Sequence, residues 1–64
     1  MKTNLYSNKK VAKGVARTLK ACDPDFSYVV AHATDKPSPS ANARELEGYF
    51  CIRLYLGKDF FKFA

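Results

Sequence analysis

Sixty-four residues allow one domain, and a chain this short buries only about 60% of the surface that its unfolded form exposes. With 47% apolar and 14% aromatic residues the composition excludes a disordered chain. It also excludes a membrane span, because no apolar run approaches the ~18 residues that one needs. The N-terminus lacks the apolar core of a secretory leader, so the expected location is cytoplasmic. Cys22 and Cys51 are then expected as reduced, packed thiols, with a single bridge as the alternative.

The formal charge of +5 is distributed unevenly. Lys2, Lys9, Lys10, Lys13, Arg17 and Lys20 stand in the first twenty residues, which contain no acid. The rest of the chain holds the other five basic residues against all six acids. A cationic, acid-free element suits a negatively charged partner.

In chain order, the first element is a helix over about 8–22. Val11, Ala12, Val15, Ala16, Leu19 and Cys22 recur every three or four residues and share a face. Lys9, Lys10, Lys13, Arg17 and Lys20 fall within an arc of roughly 100° away from it. Ser7 is the expected N-cap, with Asn8 as competitor. Asp23-Pro24 ends the helix, because the residue before proline is pushed out of the helical region. Gly14 sits on the flank, where a sheet or a partner could come close.

A strand is expected over about 26–34, with Phe26, Tyr28, Val30 and His32 on one face. The loop 35–47 comes next, either with a short turn capped by Ser40 or with Arg44 to Gly48 leading into the next strand. The second strand, about 48–56, points Phe50, Ile52, Leu54 and Leu56 one way and Tyr49, Cys51, Arg53 and Tyr55 the other. Gly57-Lys58-Asp59 makes a tight turn into a last strand over about 60–63. The expected fold is a single α+β domain: an N-terminal helix on a three-stranded antiparallel meander, α-β-β-β, with the helix over the Phe50/Ile52/Leu54/Leu56 face.

The sequence offers two candidate surfaces. The stripe Lys9, Lys10, Lys13, Arg17 and Lys20 would contact nucleic acid or an acidic protein surface. Lys9 and Lys10 sit in the first turn, where the helix dipole disfavours cations, so stability alone does not ask for them there. The bland alternative is a solvated face that aids solubility. On the other side of the sheet, Tyr49, Arg53, Tyr55 and Phe60 form a candidate protein interface, with a homodimer as the leading occupant. The alternatives there are a platform on which nucleic-acid bases stack and a face half-buried under the 35–47 loop.

His32 reads as a structural residue. No Gly-rich phosphate loop, zinc-ligand spacing or nucleophile motif occurs, so neither an enzyme, a metal nor a cofactor is expected. Three strands flanked by one helix are similar in order to double-stranded-RNA-binding-like folds. Those carry a further helix after the sheet, and their small toxins a Gly-Ser-His element where this sequence has Ala31-His32-Ala33. The likeness is one of element order and implies no function. The leading expectation is therefore a small non-enzymatic protein that contacts nucleic acid through its basic helix. The second is a phage- or mobile-element-type inhibitor docking on an acidic site of a larger protein.

Overall fold

In the computed structural model, residues 4–36, 38–40 and 42–64 are described. Lys2, Pro37 and Ala41 lie outside them. The protein is α+β: helix α1 (Lys9–Cys22) is followed by strand β1 (Ser27–His32), a short helix α2 (Ala43–Leu46), strand β2 (Phe50–Leu56) and strand β3 (Asp59–Phe63). The sheet is an antiparallel meander in the order β1-β2-β3.

Asn8 rather than Ser7 caps α1, its side chain accepting from the Lys10 amide at 2.8 Å. The helix crosses one face of the sheet and buries Ala12 and Ala16, small side chains that let its backbone come close. Ala16 joins Ile52 and Leu54 in the main core, ringed by Tyr6, Val15, Leu19, Phe26, Tyr28 and Val30. Two residues of the expected apolar face, Val11 and Cys22, are exposed, because they lie at its rim rather than its centre. Gly14 faces open space: a Cβ there would meet nothing within 4 Å, so no close approach explains this glycine.

Leu56, expected in this core, is 55% exposed. It pairs with Asp59 at the hairpin end, outside the cluster formed around Ile52 and Leu54. The hairpin turn is Gly57-Lys58 alone, and Gly57 supplies the positive φ (66°) that a two-residue turn needs at its first position.

The first strand stops at His32 rather than at Thr34. Ala33 still donates to the Tyr49 carbonyl (2.9 Å), but the Asp35 amide closes a turn onto the His32 carbonyl (3.0 Å). The expected 35–47 loop contains α2, capped by Asn42 rather than Ser40: its side chain accepts from the Arg44 amide at 3.1 Å. The second strand starts at Phe50 rather than near Gly48, since Gly48 takes a positive φ (81°) and Tyr49 donates back to Leu46.

Ala33 and Leu46 lie on the sheet's second face, where with Cys51 they form a smaller core with Phe63 beside it. Both faces of the sheet are thus partly covered. The row occupied by β3 is continued by a second piece of chain: Tyr6 exchanges two backbone hydrogen bonds with Phe50, and the Ala64 amide donates to Ile52.

Candidate anion-binding groove and aromatic face

Helical geometry places Lys9, Lys13, Arg17 and Lys20 on one flank of α1, at i, i+4, i+8 and i+11. That flank overhangs β1. Between them runs an open groove of about 640 Å³, walled by these four cations and Ala16 on the helix side and by residues 27–30 on the strand side. Lys10, at the end of the arc farthest from Lys9, does not line the groove. The expected five-residue stripe therefore divides into four groove cations and one outlier. Lys20 also has a protein partner, donating from Nζ to the Phe26 carbonyl at 3.1 Å. All five side chains are exposed.

The strand wall is the edge of the sheet. In an antiparallel pair, opposite residues either both bond across or both point away. Phe50 and Ile52 of β2 spend their backbone groups on Tyr6 and Ala64, on the β3 side. Their partners in the register, His32 and Val30, therefore turn their N–H and C=O outwards, as does Tyr28 opposite Leu54. Among the described residues no strand pairs with this edge. The groove thus combines a cationic rim with the outward backbone donors and acceptors of Tyr28 and Val30, while the His32 carbonyl beyond them is held by the Asp35 amide. Sequence reasoning did not name the edge, although the first strand of a meander is an edge by construction.

The expected aromatic interface is only partly assembled. Tyr55 and Phe60 meet edge to face with centroids 5.9 Å apart, and Phe60 meets Phe63 at 4.9 Å. Phe63 was missed because β3 carries a bulge. Tyr55 pairs with Phe60 but Leu54 pairs with Lys62, leaving Phe61 as the extra residue. Phe61 instead stacks on Phe26 at 5.2 Å. Arg53 is half-buried, and its Nη2 donates to the Asp35 carbonyl at 2.8 Å while its buried Nε has no partner. Tyr49, 40% exposed, lies about 20 Å from Tyr55 along the strand. The four expected residues therefore do not form one patch. Tyr55 and Phe60 do, with Phe63; Arg53 holds down the covering segment.

Two groups have shifted acidities. Burial is the main cause that raises the Cys51 thiol, against the pull of the Arg53 guanidinium. Tyr28 donates from its hydroxyl to the Asp23 carbonyl at 3.0 Å, and its pKa is raised by desolvation first and by the Asp23 charge second. His32 is exposed and lies against the Phe50 ring at 4.8 Å. Both cysteines are free, Cys22 exposed and Cys51 buried. Among the described residues no group of three His, Cys, Asp or Glu side chains could hold a metal ion. Among the same residues no helix is long and apolar enough to cross a membrane.

No protein-family model, curated protein or solved structure matches the chain.

Proposed function

We propose that this protein is a binding module whose α1–β1 groove engages an acidic segment of a larger protein. The observation that carries this reading is the placement of Lys9, Lys13 and Arg17 beside a free strand edge. A phosphate backbone suits the cations but offers acceptors only, leaving the carbonyls of Tyr28 and Val30 without donors. A polypeptide offers both donors and acceptors. The geometry thus favours the acidic-protein reading over the nucleic-acid one, which becomes an outcome of the test.

Titration calorimetry with polyglutamate and with random duplex and single-stranded DNA, at low and at physiological salt, separates the two. The expected result is polyglutamate binding that weakens with salt and is lost in a Lys13→Glu/Arg17→Glu variant with an unchanged circular dichroism spectrum. Both side chains are exposed, so the fold tolerates the reversal. Binding of DNA without polyglutamate would restore the nucleic-acid reading.

The Tyr55/Phe60/Phe63 cluster supports a second, weaker proposal: self-association through the aromatic face. Its basis is that Phe60 remains 38% exposed beside two aromatic neighbours.

A further inference from the structure

We infer that the acidic segment binds by strand addition: it pairs antiparallel or parallel with the free edge of β1, extending the sheet to four strands. This rests on the acidic-partner reading and specifies its mode. Strand addition draws its affinity from main-chain hydrogen bonds and its selectivity from alternate side chains. Both requirements are met here. As the register of β1 with β2 requires, Tyr28 and Val30 present outward N–H and C=O groups; His32 adds its N–H, its carbonyl being held by the Asp35 amide. The face of the added strand that lies on the helix side would run beneath Lys9, Lys13 and Arg17.

The geometry also dictates a sequence pattern for the ligand. Residues opposite Tyr28, Val30 and His32 project to the helix side, where cations favour Asp or Glu. Residues opposite Val29 and Ala31 project to the other side, where Val29 is 44% exposed and favours an apolar neighbour. The ligand is therefore an extended segment in which acidic and apolar residues alternate.

A second copy of β1 is the wrong occupant. Antiparallel pairing of β1 with itself puts both helices on the same face of the joined sheet, with their cationic flanks turned towards each other. Like charges brought together in this way repel, whereas an acidic strand neutralises the flank.

The test uses the whole protein and two synthetic decapeptides of alternating glutamate and valine, one with an ordinary backbone and one N-methylated on the edge that would face β1. Affinity is measured by calorimetry, and amide hydrogen exchange at Tyr28, Val30 and His32 by NMR. The expected result is that the ordinary peptide binds and slows exchange at these three amides about tenfold or more, while N-methylation weakens binding by about tenfold or more. Equal binding of both peptides without amide protection would overturn strand addition and leave the acidic-partner reading standing. Failure of both peptides and of polyglutamate would overturn the two together. Lys13→Glu/Arg17→Glu should lose the peptide while keeping its native amide spectrum elsewhere.

Discussion

Arg53, at the middle of the central strand, reaches across the second face of the sheet to the backbone carbonyl of Asp35, 18 residues away in sequence, at 2.8 Å. This bond ties Asp35 to the sheet beside the small core of Leu46, Ala33 and Cys51. It is a charge-assisted bond from a half-buried side chain to an exposed carbonyl, and the Nε of the same side chain is buried without a partner. Arg53→Ala removes the bond and the desolvated Nε together. The expected net loss is modest, about 1 kcal/mol, read from the urea midpoint. Faster exchange of the Ala33 and Tyr49 amides is expected with it. Unchanged exchange there would mean that Leu46 alone holds the segment.

Gly14 stands in mid-helix with open space around its Cβ position. Gly14→Ala should therefore gain close to the full propensity difference, about 1 kcal/mol, with a higher urea midpoint and an unchanged slope. Gly57 also has open space around it, but its φ of 66° is one that L side chains rarely adopt. Gly57→Ala should therefore destabilise. The opposite signs of the two substitutions test whether conformation or space governs each glycine.

The two thiols should behave differently. Cys22 is exposed and Cys51 buried, so iodoacetamide on the native protein should add one group, and a second only in denaturant. Burial holds Cys51 protonated where the unfolded chain would ionise. A raised folded pKa means that the folded state keeps its proton longer, so stability falls as pH rises from the ordinary thiol range towards the raised value. Tyr28 acts with the same sign at higher pH, in the phenol range. Denaturant midpoints measured between about pH 8 and pH 10 should decline. A flat profile would contradict the thiol assignment.

Ile52 is fully buried between α1 and the sheet. Ile52→Ala should cost roughly 3 kcal/mol, a large share of the roughly 3–10 kcal/mol expected for a chain of this size. Ile52→Val should cost about 1 kcal/mol and leave the fold intact. Phe60→Asp should cost less, about 1–2 kcal/mol through its contacts with Tyr55 and Phe63, and leave the fold intact, because Phe60 is 38% exposed. If the aromatic face self-associates, light scattering should show a smaller assembly for Phe60→Asp than for wild type at equal concentration. Equal masses would remove that proposal.

The element order was readable because two periods are written plainly in the chain. The three-to-four spacing of Ala12, Ala16 and Leu19 marks the helix, and the alternation through Ile52 and Leu54 marks the central strand. Periodicity says which face a residue shares but not where that face ends. Val11 and Leu56 therefore looked buried and are not. The bulge at Phe61 was not readable either, since one extra residue reverses the faces of Lys62 and Phe63 and no local signal announced it. The cationic stripe was visible in the sequence, but its meaning was not. That Lys13 and Arg17 overhang a free strand edge depends on where the helix lies across the sheet, which is a tertiary fact.

The last structural row of the sheet is assembled from opposite ends of the chain, with Tyr6 and Ala64 bonded to Phe50 and Ile52 on the same side of β2. Tyr6 and Ala64 thus lie at one border of the sheet, and the groove occupies the other. A fluorophore, affinity handle or surface tether joined at Ala64 starts from the side remote from β1. Protein immobilised there would accordingly present its groove outwards.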